Sequence, residues 1–92
     1  PAATFVVKVQ GESMAGAGIR DGDLLVVDRA REARDGSIVV AVVDGELTVK
    51  RLRKSRRGVR LEAENPAYPA IVFHEGKELV VWGVVAHAIR SY

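Results

Sequence analysis

The chain has 92 residues, 14 of them basic and 12 acidic, with no cysteine and 48% apolar content. That length holds one domain with a modest core, burying about 60–65% of its unfolded surface. The missing cysteine excludes disulfides, thiolate metal sites and cysteine nucleophiles, no apolar run approaches the ~18 residues of a membrane span, and no signal peptide is recognisable at the N-terminus.

The net charge of +2 is unevenly spread. Seven basic residues lie between Lys50 and Arg60, without one acid. The remaining seven face all twelve acids, so a mildly acidic body carries one basic segment. This is not the broad basic footprint of a nucleic-acid binder, and direct DNA binding is not expected. Valine is abundant and aromatics are few, which favours strands, because β-branched side chains fit a pleated surface.

In chain order, Phe5 to Val9 reads as a short strand, with Lys8 facing solvent. Gln10 to Gly18 is rich in small residues and reads as a loop with room for one helical turn. Ile19 to Asp23 is a turn, since Asp-Gly supplies the positive φ that tight turns need. Leu24 to Asp28 is a second strand, expected to be buried on both faces. Arg29 to Gly36 is a polar connection.

Ile38 to Val43 reads as a central strand. Asp44-Gly45 then predicts a type I′ hairpin into Glu46 to Leu52. Period two puts Thr48, Lys50 and Leu52 on one face of that arm, and Leu47, Val49 and Arg51 on the other. Arg53 to Arg57 reads as a charged loop and Val59 to Glu62 as a strand. The prolines in Asn65 to Pro69 bar a helix there. Ile71 to Phe73 is a strand, His74 to Lys77 a turn, and Leu79 to Ile89 a long strand with a bulge or bend at Gly83. The fold class expected is mostly β: one compact domain over residues 1–92, of short, largely antiparallel strands in a barrel or sandwich.

No phosphate-binding glycine loop occurs, and neither His74 nor His87 has neighbours at metal-ligand spacing. No metal or cofactor is expected, and His87 reads as a structural histidine on an apolar strand. Ser13, taken alone, reads as the N-cap of a short turn starting at Met14. Lys50, taken alone, is a strand lysine before a basic loop. Its face, however, is shared with Thr48 and Leu52, and a lysine packed inward is desolvated, which lowers its pKa.

Gly11-Glu12-Ser13-Met14, Gly18 to Asp23, Gly36, and Asp44 to Leu52 follow one another in an order and spacing that resembles the LexA/UmuD family of self-cleaving Ser–Lys peptidases. The resemblance runs from about Thr4 to Ile89 and takes in Glu64 to Tyr68 and Trp82 to His87. It implies a serine endopeptidase with Ser13 as nucleophile and Lys50 as general base, and Thr48, two residues earlier on the same face, is placed to hydrogen-bond the lysine nitrogen and aim it. The oxyanion would be met by the N–H groups around Glu12 and Ser13. A hydroxyl becomes a good nucleophile only when a base takes its proton, and lysine is a base only when neutral.

The family cuts a small-residue–Gly bond in its own N-terminal arm. This chain begins twelve residues before Ser13, so the reading expects the arm to be missing and the chain to match a processed core. Leu24 to Asp28 and Val42 to Glu46 look more like the UmuD branch. That branch implies an SOS mutagenesis protein in the bacterial cytoplasm, a homodimer, joined to a UmuC-like Y-family translesion polymerase and prompted by a RecA filament on single-stranded DNA. The alternative is the dimerisation and autocleavage domain of a LexA-like repressor. Signal peptidase shares the Ser–Met and lysine features but needs a membrane anchor. A basic binding module built on Lys50 to Arg60 lacks an aromatic for base stacking. Leu79 to Ile89 is a candidate dimer edge or a plain core strand.

Overall fold

A computed structural model describes residues 3–73 and 78–91. Seven strands form one sheet: β1 (Thr4–Lys8), β2 (Leu24–Asp28), β3 (Ile38–Val43), β4 (Glu46–Ser55), β5 (Gly58–Glu62), β6 (Ile71–Phe73) and β7 (Val80–Ile89). Their order is β1-β2-β7-β3-β4-β5-β6. Every pairing is antiparallel. The mostly β, single-domain expectation holds. With β1 and β6 ending the sheet, the expected barrel does not close among the described residues, and the sandwich-like form is the one that fits.

β3 is the centre because its unbroken apolar run suits a strand covered on both faces. Val40 joins a core of Val9, Met14, Ile19, Leu25 and Val27 on one face. Val39 and Ala41 join Leu52, Leu61 and Val84 on the other. Burying each of these larger side chains contributes about 1.5–3 kcal/mol. The Asp44-Gly45 turn has φ of 50° and 80°, the paired positive values that a type I′ hairpin demands.

Four expectations change. β2 is fully buried on one face only: Leu25 and Val27 are inaccessible while Leu24 is 41% exposed, because the sheet margin is covered from one side. Arg53, Lys54 and Ser55 are not loop but the end of β4, paired with Arg60, Val59 and Gly58. Their charge is tolerated in a strand because Arg53 and Arg60 both reach Glu62, at 3.0 and 2.6 Å. β7 is no edge along Val80 to Val84, where β3 pairs with it, and β2 covers the rest of the strand from the other side. Only Val85 to Ile89 has no strand partner on the side away from β2, among the described residues. Trp82 packs against Phe5 (ring centroids 5.2 Å apart) and under Arg29 (4.6 Å). His87 is exposed at the end of β7, not a buried structural histidine.

The expected irregularity at Gly83 is present. The β3 register slips between Val40 and Ala41, opposite Gly83 and Val81. A side chain at Gly83 would stand 2.5 Å from Val27 Cγ1. The turn expected at His74 to Lys77 lies outside the described residues.

Candidate active site

Two local structures meet at Lys50. The first is the loop from Gly11 to Ile19, whose only helical piece is a single 3-10 turn, Ala15–Ala17. Its N-cap is Met14, with no side-chain cap bond, so the Ser13 hydroxyl is not spent as a cap. The second is the β3–β4 hairpin. Register pairs Val39 with Lys50 and Ala41 with Thr48, so the lysine and threonine share the face of the second core.

Lys50 is 7% exposed. Its Nζ lies 3.1 Å from Ser13 Oγ, 2.9 Å from Thr48 Oγ1 and 3.2 Å from the Val49 carbonyl. Burial holds the amine below the usual lysine range, since the charged form loses water. In the neutral amine, two N–H bonds serve Thr48 and Val49, leaving the lone pair for the Ser13 hydroxyl proton. The Ser13 end of this pair opens into a cavity of about 290 Å³ bordered by Val7, Gln10, Leu47 and Thr48. Lys50 lines a second depression with Asp44, Thr48, Tyr68 and Pro69.

Two clamps hold the serine loop. On one side Gly11 N–H donates to Asp21 Oδ1 at 2.7 Å, and Arg20 N–H to Asp23 Oδ2 at 2.8 Å. Asp23 is itself buried and gripped by Arg90 from Nε and Nη2, both at 2.9 Å. The Arg90 guanidinium, then the Arg20 N–H, hold the Asp23 carboxyl below the usual carboxylate range. On the other side Glu64 N–H donates to the Ser13 carbonyl at 2.8 Å, and Gly16 N–H to the Glu64 carbonyl at 2.7 Å. Asn65 Nδ2 donates to the Glu12 carbonyl at 2.9 Å. The Glu64 carboxylate pairs with Arg51, the neighbour of Lys50.

Ser13, Thr48 and Lys50 are thus brought together, with Glu12 adjacent in the loop. The Glu12 carboxylate pairs with Arg20 at 3.7 Å. For the Glu12 and Ser13 N–H groups, no acceptor is found among the described residues. The sequence assigns Glu64, Asn65, Asp23 and Arg90 no role at the site, since the bonds by which they hold the loop and its clamp span up to 72 residues and leave no periodic trace. Among the described residues, no cluster of His, Asp or Glu could hold a metal ion. No helix there is long and apolar enough to cross a membrane.

Residues 1–86 match the family model for Peptidase S24-like proteins. The chain is 50% identical to the LexA repressor of Dechloromonas aromatica, over 99% of this chain and 46% of that protein. It is 46% identical to the LexA repressor of Paracidovorax citrulli, over 95% and 39% respectively. LexA repressor 1 of Xanthomonas campestris pv. campestris is 45% identical, over 95% and 43%. The chain spans less than half the length of these relatives.

These relatives overturn the UmuD assignment, and with it the mutagenesis role and the UmuC-like polymerase partner: their names are those of repressors. The blocks that suggested UmuD are β2 and the β3–β4 turn, which are apolar strand and hairpin patterns and carry little information on the branch.

Proposed function

The chain belongs to the Peptidase S24-like family, and from that premise we propose that it is the dimerising, self-cleaving domain of a LexA-like transcriptional repressor, with Ser13 as nucleophile and Lys50 as general base. The observation that carries this reading is the desolvated Lys50 amine 3.1 Å from the Ser13 hydroxyl. In the proposed reaction neutral Nζ takes the hydroxyl proton as Oγ bonds to the carbonyl carbon of a small-residue–Gly bond. The carbonyl oxygen becomes an oxyanion facing the Glu12 and Ser13 N–H groups, preorganised donors of the kind that lower such barriers. The C–N bond then breaks, the leaving amine takes the proton from Nζ, and water releases the acyl group from Ser13 by the same route. Thr48 and the Val49 carbonyl aim the lysine. No metal or cofactor enters these steps. The reading places the domain in the bacterial cytoplasm as a homodimer, prompted by a RecA filament on single-stranded DNA.

The test is cleavage of a peptide containing an Ala-Gly bond by the chain, across roughly pH 6 to 10. Ser13→Ala and Lys50→Ala are expected to abolish cutting and keep the fold. A Lys50→Ala protein that cuts at the parent rate removes the lysine from the mechanism.

A further inference from the structure

We propose that Asn65 is a positioning residue for the oxyanion site, acting through the Glu12–Ser13 peptide; the inference rests on the Ser13–Lys50 reading above. A trans peptide is planar, with its C=O and N–H on opposite sides. No peptide bond is cis among the described residues. Whatever grips the Glu12 carbonyl therefore aims the Ser13 N–H. That carbonyl accepts two bonds, from Ala15 N–H at 3.1 Å and from Asn65 Nδ2 at 2.9 Å. The first comes from within the loop and moves with it. The second comes from 53 residues away and ties the peptide plane to the rest of the fold.

The asparagine is itself held. Its Oδ1 accepts from Ala67 N–H at 3.0 Å, which fixes the amide's orientation and closes a local turn. The residue before it, Glu64, bonds to the loop through both backbone groups and pairs with Arg51 beside Lys50. One segment thus sets the nucleophile's peptide and touches the strand that carries the base. A donor amide is what the Glu12 carbonyl requires here. A carboxylate of the same shape would repel it and free the peptide to turn.

Asn65→Asp separates this role from a structural one, because it keeps the Oδ1 acceptor for Ala67 and replaces the donor with a carboxylate oxygen, whose added charge the pH profile reads separately. Steady-state cleavage of the Ala-Gly peptide by the purified chain is the readout, with thermal unfolding in parallel. For Asn65→Asp, kcat is expected to fall about 10- to 100-fold, with KM within about twofold. The pH midpoint of the rate should stay near the parent's, and the unfolding midpoint should fall by no more than the roughly 4–8 °C of one lost hydrogen bond. Asn65→Ala also loses the turn bond, so it should lose at least as much rate and unfold at lower temperature. Parental kcat in Asn65→Asp overturns the proposal. So does a rise in KM alone, which marks a substrate contact, or a pH shift with full rate restored in base, which marks charge acting on Lys50. A rate loss with an unfolding midpoint lowered well beyond that single-bond amount in Asn65→Asp reduces the residue to a structural one. A parent no faster than Ser13→Ala sinks the dyad reading and this inference with it; a fast parent with an equally fast Asn65→Asp sinks the inference alone.

Discussion

Replacing Gly16 with alanine should pry the serine loop from the segment that holds it. A Cβ there would stand 2.6 Å from the Glu64 carbonyl oxygen. Ordinary contact begins near 3.4 Å, so loop and segment must part by about 0.8 Å. Three hydrogen bonds cross that seam: Gly16 to Glu64, Glu64 to Ser13, and Asn65 to Glu12. At about 1 kcal/mol net each, losing two or three lowers stability by about 2–3 kcal/mol. For a domain of this size that lowers the unfolding midpoint by about 10–20 °C. The same movement takes Ser13 Oγ out of reach of Lys50, now 3.1 Å away. A misplacement near 1 Å costs about 100-fold in rate. Thermal unfolding and peptide cleavage on the same preparation measure both effects. A Gly16→Ala protein with parental rate and a midpoint within about 2 °C refutes the clamp.

Lys50→Met should be inert yet at least as stable as the parent near neutral pH, because it removes a buried ammonium. The amine's folded-state pKa is lowered from 10.5, so between that lowered value and 10.5 the unfolded chain holds more protons and parental stability rises with pH. The methionine variant should lack this rise in urea midpoints compared at about pH 7 and about pH 10; a variant clearly weaker at about pH 7 contradicts it. For the parent, kcat/KM should climb with pH to a plateau whose midpoint lies below 10.5, and a midpoint at or above that value excludes Lys50 as the base. Thr48→Val should slow cleavage about tenfold while KM holds, measured in the same assay, since one of the bonds aiming Nζ is gone. Arg90→Leu should lower the unfolding midpoint at neutral pH. Asp23's lowered pKa contributes stability above the ordinary carboxylate range that is lost as pH falls through the folded value, so the deficit should shrink toward about pH 2, and an equal deficit at both ends speaks against the pair.

Local patterns carried much of the fold. β2, β3 and β6 begin and end where apolar runs meet turn residues, and Asp44-Gly45 dictates its hairpin. Arg53 to Ser55 misled because a run of cations resembles a solvated loop until the register brings Glu62 beside Arg53 and Arg60. β7 misled because position in the chain says nothing of position in the sheet, and it inserts between β2 and β3. At the site, period two is enough to put Thr48 beside Lys50. The pairing of Lys50 with Ser13 needed a resemblance to guide it, and the Glu64–Asn65 clamp needed the structure, since backbone carbonyls carry no residue-specific signal.

The insertion of β7 has a kinetic side. Ser13 and Lys50 are 37 residues apart, and the Arg90 that secures Asp23 lies 67 residues beyond it. Closing such loops must precede any reward from the contacts, so these pairings carry the loop-closure cost of a long-range topology. Until β7 has been synthesised and slotted beside β3, the loop lacks Arg90 and the hairpin lacks its inner neighbour. Serine and lysine then sit in water as ordinary side chains, the amine charged and the hydroxyl idle. Under the proposed Ser13–Lys50 mechanism, a half-folded chain would therefore lack the assembled pair, and cleavage would wait for the finished sheet.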